Sequence, residues 1–318
     1  MHKNGGYPQN FIRFLGTAGT RFIMLSQRRS SGGMWFSYGD VNGVIDPGPG
    51  SLVQICKAKP PLFPEKIDGI ILTHRHIDHS NDLNVLSEAM TLKAREKKGG
   101  VLLTGDSMKE GDCVLLQYVR RKIAQIWLHM DGQKTSLSRD VCVESVMHTH
   151  HGVECYGLVF RSRGLPSWGV ISDTAALPHF PARYRDCELV VINCTLPLPW
   201  TRLDHISVSD VESLLQVLSP KLVILTHMGR HILDIGPRNI ARSLSTKRTT
   251  VIAAEDGMII DLAKMQQQTL TGREERYDEH TRANRCPGIS QKIEGKNSNL
   301  SDAEHSKRTG TRRCIHTG

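Results

Sequence analysis

Three histidines and a carboxylate fall within six residues, His74, His76, Asp78 and His79, directly after the apolar run Ile67–Leu72. Imidazole nitrogens and carboxylate oxygens are the natural ligands of zinc, manganese or iron. His74 and His76, two residues apart in extended backbone, aim at one ion. Asp78 and His79 turn the other way as a helix begins, towards a second.

One loop cannot complete two coordination spheres, so the remaining ligands must come from other strand ends. Met147-His148-Thr149-His150-His151-Gly152 follows apolar positions Val141, Val143 and Val146. Ile171-Ser172-Asp173-Thr174 follows the strand that begins at Trp168, and Leu225-Thr226-His227-Met228 follows the run Leu222–Leu225. Each of these taken singly reads equally well as a turn residue or a satisfied core polar group. Their recurrence just past apolar strands points to one site where strand ends converge. Ser167, Ser172 and Cys194 stand in neither a G-x-S-x-G nor a Cys/His context, which argues against covalent catalysis. Asp46-Pro47-Gly48-Pro49-Gly50 lacks the Lys-Ser/Thr of a phosphate-binding loop and the G-x-G-x-x-G of a dinucleotide fold, so it reads as a tight turn.

The elements that must carry these loops alternate along residues 11–264. Strands are expected at Phe11–Leu15, Phe22–Leu25, Met34–Tyr38, Val41–Ile45, Ile67–Leu72, Val101–Thr104 and Gln125–His129. Further strands are expected at Val141–Met147, Tyr156–Arg161, Trp168–Ser172, Leu189–Asn193, Leu222–Thr226, Val251–Ala253 and Met258–Asp261. Helices are expected at Ser51–Lys57, Ser80–Lys93 and Ser207–Leu218, the last with Ser207 as its N-cap. Many strands with few helices between them favour a layered α/β architecture in which two halves each supply a sheet.

After residue 264 the apolar rhythm stops. Residues 265–318 hold ten Lys+Arg and seven Asp+Glu and little that is apolar, so they are expected to form a disordered, mildly basic tail beside a domain over 1–264. The eight cysteines are scattered without a C-x-x-C pair, as expected of reduced, buried thiols in a cytoplasmic protein. No apolar stretch approaches the roughly 20 residues of a membrane span, and the N-terminus lacks a signal-peptide core. The net charge of +9 is compatible with polyanions without requiring them.

The series His74, His76, Asp78, His79, then His151, Asp173 and His227, resembles the metallo-β-lactamase superfamily in its two-metal hydrolase branch. The resemblance covers residues 11–262 and includes Phe14-Leu15-Gly16-Thr17-Ala18-Gly19-Thr20 and the turn from Ile45 to Gly50. It implies a four-layer αβ/βα sandwich with two divalent ions at the sheet edge, zinc first, with manganese or iron as alternatives. One ion would take His74, His76 and His151, and the other Asp78, His79 and His227. Asp173 would bridge them, and a hydroxide shared by the ions would attack the substrate. His151 is preferred because Gly157 follows six residues later, with His148 and His150 left as alternatives. Asp46 would orient a ligand imidazole.

His205, in Asp204-His205-Ile206-Ser207, matches the spacing of the non-ligand histidine of ribonuclease Z and cyclic phosphodiesterases, which serves the phosphate side of catalysis. Asp78, the Leu-Thr-His-Met context of His227 and His205 together favour phosphodiester hydrolysis, with Asp78 and His205 as catalytic residues. Residues 181–204 are too few for the long tRNA-gripping arm of ribonuclease Z. A small substrate such as a cyclic nucleotide or cyclic sugar phosphate is therefore favoured over RNA. Family habit adds a homodimer. The other classes in view are a lactone or thioester hydrolase of the same fold and a non-hydrolytic di-iron or metal-binding module.

Overall fold

Strand residues are apolar on both faces, and the alternation sorts them into separate cores. In Met34–Tyr38, Met34, Phe36 and Tyr38 join one cluster while Trp35 joins another. In Leu189–Leu196, Leu189 and Val191 join the first cluster, while Val190, Ile192 and Cys194 join a third. A strand buried on both faces belongs to a sheet sandwiched between layers. The computed structural model describes residues 6–92, 96–176 and 180–267.

Two eight-stranded mixed sheets face one another across the central core. The first runs in the order Gln266–Gln267, Ile259–Asp261, Phe11–Phe14, Met34–Tyr38, Val41–Ile45, Gly69–Ile71, Lys98–Leu103, Ile123–Leu128. The second runs Thr250–Ala253, Leu222–Thr226, Leu189–Leu196, Trp168–Ile171, Val153–Ser162, Val141–His150, Lys134–Ser136, with Ile206–Ser207 paired beside Leu189–Leu196. Each half of the chain thus supplies one sheet, except that the last two strands return to the first. Phe160 and Trp168 stack in the centre at 4.1 Å, and burying such a side chain stabilises by roughly 2–3 kcal/mol.

Helices cover the outer faces. Ile55 of Ser51–Cys56, Leu83, Leu86 and Met90 of Leu83–Thr91, and Val119 of Gln117–Arg120 pack on the first sheet. Val211 and Leu214 of Val208–Val217, Ile232 of Arg230–Ile235 and Ile240 of Pro237–Leu244 pack on the second. The result is the expected four-layer αβ/βα sandwich. Ser207 caps its helix in a capping box with Asp210: the Asp210 N–H donates to Ser207 Oγ at 3.2 Å, and the Ser207 N–H donates to the Asp210 carboxylate at 2.8 Å.

Residues Phe22–Leu25 correct the sequence expectation, because they lie in the helix Thr20–Ser26. A four-residue apolar run does not distinguish strand from helix by period, and here only Ile23 is buried. The helix expected over Ser80–Lys93 divides into Ile77–Ser80 and Leu83–Thr91. Of the six described cysteines, all free, Cys155, Cys187 and Cys194 are buried as expected, whereas Cys56 is exposed and Cys113 and Cys142 are half-buried. Gln266–Gln267, just past the expected domain boundary, pairs with Ile260 and Asp261; the rest of the expected tail, 268–318, lies outside the described residues. Among the described residues no helix is long and apolar enough to cross a membrane.

Candidate metal centre

Carboxyl ends of parallel strands from both sheets meet at one edge of the sandwich, where open α/β sheets hold their ligands. Val41–Ile45 delivers Asp46, Gly69–Ile71 delivers the loop from Thr73 to His79, Trp168–Ile171 delivers Asp173, and Leu222–Thr226 delivers His227. Backbones interlock there: a Cβ on Gly48 would fall on the Asp78 carbonyl oxygen, and one on Gly19 on that of His227. Asp46 and His227 adopt left-handed backbone conformations, φ 51° and 55°, which non-glycine residues hold only where the surroundings enforce them.

Two pairs of ring nitrogens face each other. His76 Nδ1 lies 3.2 Å from His150 Nε2, and His79 Nε2 lies 3.2 Å from His227 Nε2. Their other nitrogens fix two of the tautomers. His150 Nδ1 donates to the Asp204 carbonyl at 2.8 Å, and His79 Nδ1 donates to Asp46 Oδ2 at 3.0 Å. Each therefore presents Nε2 to its facing partner, the nitrogen through which it would meet a cation. His74 is fully buried, and its Nε2 has no hydrogen-bond partner. An orphaned imidazole nitrogen beside two facing pairs is a donor set that could hold a cation.

Asp173 sits between the pairs. Its Oδ2 lies 3.5 Å from His79 Nε2 and 3.7 Å from His150 Nε2, and its Oδ1 lies 3.3 Å from His227 Nδ1. Asp78 Oδ2 lies 3.5 Å from His227 Nε2 and 3.8 Å from His79 Nε2. Among the described residues five donor groups that could hold a metal ion follow: His74, His76 and His150; His74, His79 and Asp173; Asp78, His79 and His227; Asp173, His205 and His227; and His150, His151 and His205. The donor set fits divalent cations of the zinc, manganese and iron class.

His151 departs from the sequence expectation. The strand Val141–His150 alternates so that His148 and His150 share a buried face, and the hairpin turns at His151 and Gly152, both with positive φ, 44° and 72°. Two positive-φ residues between paired strands make a type I′ turn. That turn leaves His151 exposed, its ring 6.4 Å from that of His76, and its N–H donates to the Asp204 carboxylate at 2.7 Å. The structure thus brings His150, not His151, against His74 and His76. His148, one residue pair deeper, meets the Tyr184 hydroxyl at 3.2 Å. His205 lies beside the cluster, its Nδ1 3.7 Å from Asp173 Oδ2.

A family model described as the beta-lactamase superfamily domain matches residues 42–228. The metallo-β-lactamase fold protein YhfI from Bacillus subtilis superposes over 79% of this chain and 98% of its own, with TM-score 0.65 and 17% identity. The chain belongs to the metallo-β-lactamase superfamily. An uncharacterized protein of Methanocaldococcus jannaschii is 28% identical over 225 residues, 69% of this chain and 82% of that one. A ribonuclease Z of Thermococcus sibiricus is 30% identical over 150 residues, which is 47% of this chain and 47% of that enzyme.

The metallo-β-lactamase site is electrostatically divided. Burial drives the pKa of His74 well down and those of His76, His150 and His205 to about 4, keeping these imidazoles neutral at pH 7. Burial also opposes charge on His79, but Asp78, Asp46 and Asp173 outweigh it and hold its pKa well above the usual value. For Asp78 and Asp173 burial again works against the charge, and the surrounding imidazoles, His79 and His227 among them, carry both below the ordinary carboxylate range.

Several contributors were not legible in the sequence. The Asn193 amide donates to Asp173 Oδ1 at 2.8 Å, and Thr195 Oγ1 lies 2.9 Å from His227 Nδ1. Thr73 Oγ1 meets Asp46 Oδ2 and Ser172 Oγ, both at 2.8 Å. The only signal for these residues was their position at strand ends. Asp46, expected to orient an imidazole, is in place against His79.

Proposed function

We propose that the chain is a two-metal phosphodiesterase acting on a small phosphodiester. The coarser statement rests on the family, whose members are mostly metal-dependent hydrolases, and on the clustered His and Asp side chains. The observation that supports the two-ion part of this reading is Asp173 Oδ2 within 3.7 Å of both His79 and His150, where one carboxylate could serve two ions. His74, His76 and His150 would hold one ion, and Asp78, His79 and His227 the other. When bound, the ions supply a nucleophilic hydroxide at neutral pH and stabilise charge growing on the phosphoryl oxygens.

The protein's own side chains prepare that chemistry. Asp46 and the Asp204 carbonyl hold His79 and His150 in the tautomers that present Nε2. The Asn193 amide holds Asp173 Oδ1, leaving Oδ2 as the oxygen that would meet a cation. His205 lies at the cluster's flank with Thr195 Oγ1 3.4 Å from its Nδ1, and it is the group proposed to protonate the leaving oxygen. An anionic substrate beside it offsets the burial that pushes its pKa to about 4. A phosphodiester is favoured over a lactone or thioester by the ribonuclease Z relative and by His205.

The test is hydrolysis of bis(p-nitrophenyl) phosphate by chelator-stripped protein reloaded separately with zinc, manganese or iron. Turnover is expected only after reloading. Two bound ions per chain with no turnover under any metal would overturn the phosphodiesterase reading and direct the search to lactones and thioesters.

A further inference from the structure

The segment joining the strand that ends at Leu196 to His205 carries side chains that the fold does not use. Of the four tryptophans, Trp35 and Trp168 are buried and Trp127 is half-buried, but Trp200 is 57% exposed. Phe22, Phe63 and Tyr118 are about as exposed, so exposure alone marks nothing; what sets Trp200 apart is its place in the chain, five residues before His205. Leu198 beside it is also exposed, and Arg202, two residues on, is an exposed cation with no hydrogen-bond or ion-pair partner among the described residues.

This segment is tied to the metal centre. The Leu203 N–H donates to the Trp200 carbonyl, and the His205 N–H to that of Leu203, both at 2.9 Å, so tight turns connect Trp200 to His205. Asp204 between them accepts from His150 Nδ1 through its carbonyl and from the His151 N–H through its carboxylate. Pro197 and Pro199 fix two backbone torsions just before Trp200, which lowers the entropy of ordering the segment around a ligand.

Building on the phosphodiesterase reading, we infer that Trp200 is a stacking platform for a nucleobase, and that the substrate is a nucleobase-bearing phosphodiester whose anionic group is drawn by Arg202. An indole offers a flat face to any base, and a neighbouring guanidinium supplies the cation that such sites pair with an aromatic. A sugar phosphate without a base would leave Trp200 without a role. The base is either that of a free nucleotide or the terminal base of a single strand.

The experiment uses metal-reloaded full chain and two esters with the same leaving group: the p-nitrophenyl ester of thymidine 5′-phosphate and methyl p-nitrophenyl phosphate. Wild type is expected to favour the nucleoside ester, and Trp200→Ala to raise its KM about tenfold to a hundredfold while leaving the methyl ester unchanged. Trp200→Phe, which keeps a ring, should restore most of the difference. Equal effects on both esters, or no effect on either, overturn the inference. Binding of adenosine monophosphate against inorganic phosphate, followed by calorimetry, decides it independently of turnover. If neither ester is hydrolysed, the phosphodiesterase reading fails by itself. The platform then stands if Trp200→Ala weakens nucleotide binding, and falls if the nucleotide binds no better than phosphate. Equal competition by the mononucleotide and a single-stranded tetranucleotide identifies a free nucleotide, tighter competition by the tetranucleotide identifies a strand end, and either result upholds the platform.

Discussion

The two halves of the candidate metal centre are built from opposite electrostatic materials. Around His74, His76 and His150 burial dominates, so the imidazoles are neutral and present lone pairs at pH 7. Around His79 carboxylates dominate, and Asp78, Asp46 and Asp173 hold a proton on it. A cation entering the first half meets preformed neutral donors. A cation entering the second must displace a proton but gains charge pairing with carboxylates. Carboxylate charge, more than imidazole count, would therefore set the hold of the second half on an ion.

Removing that charge should have the largest consequence. Asp78→Ala is expected to lower phosphodiester turnover by about a thousandfold or more and to reduce the metal content from two ions to one per chain, read by elemental analysis alongside steady-state rates. If both ions stayed bound, the carboxylate would not be what holds the second half. The first half is tested by a matched pair of variants. His150→Ala should cost about a hundredfold in turnover and one ion, whereas His151→Ala should keep both ions and lose only a few-fold. The reverse result would restore His151 to the ligand set and show that the hairpin rearranges when the cation arrives.

That choice also shows how far the sequence could be read. The contiguous loop from His74 to His79 was legible because four donors fall within six residues on one strand exit. Asp173 and His227 were legible from the apolar strands before them. At residues 148–151 three histidines compete, and what separates them is the face alternation of Val141–His150 together with the type I′ turn at His151 and Gly152. Placing that turn needs the strand's end to a single residue, the least determined feature of a sequence pattern. Asn193 and Thr195 carry no local signal beyond their place near a strand end, since their roles come from strands adjacent only in three dimensions. The layered architecture followed from many strands with few helices between them, whereas Phe22–Leu25, too short to show a period, went astray.

His205 flanks both halves, its Nδ1 3.7 Å from Asp173 Oδ2, and with Asp173 and His227 it forms a further donor group that could hold a metal ion. His205→Ala is expected to lower turnover by about a hundredfold with two ions still bound, the pattern of a group that moves a proton and does not hold a cation. Loss of an ion would instead make it a ligand. The discriminating readout is metal content, because turnover falls in either case.

His129 offers the smallest effect and isolates burial from charge. It is buried like His150, but its nitrogens are engaged within the protein, Nδ1 with Ser145 Oγ at 2.7 Å and Nε2 with the Leu72 carbonyl at 3.2 Å. Burial pushes its pKa down to about 3, against about 6.5 in an unfolded chain. Between those values the unfolded chain binds a proton that the folded chain refuses. The stability that depends on neutral His129 is therefore complete above about pH 6.5 and is lost as pH falls towards 3, by at most about 1.4 kcal/mol per pH unit. His129→Gln keeps hydrogen-bonding capacity without a titrating proton. Urea midpoints of the metal-saturated proteins, measured from pH 7 to pH 4, should therefore fall less steeply in the variant than in wild type. Parallel curves would mean that His129 is not held neutral, and the burial argument for the three-imidazole half would lose its independent support.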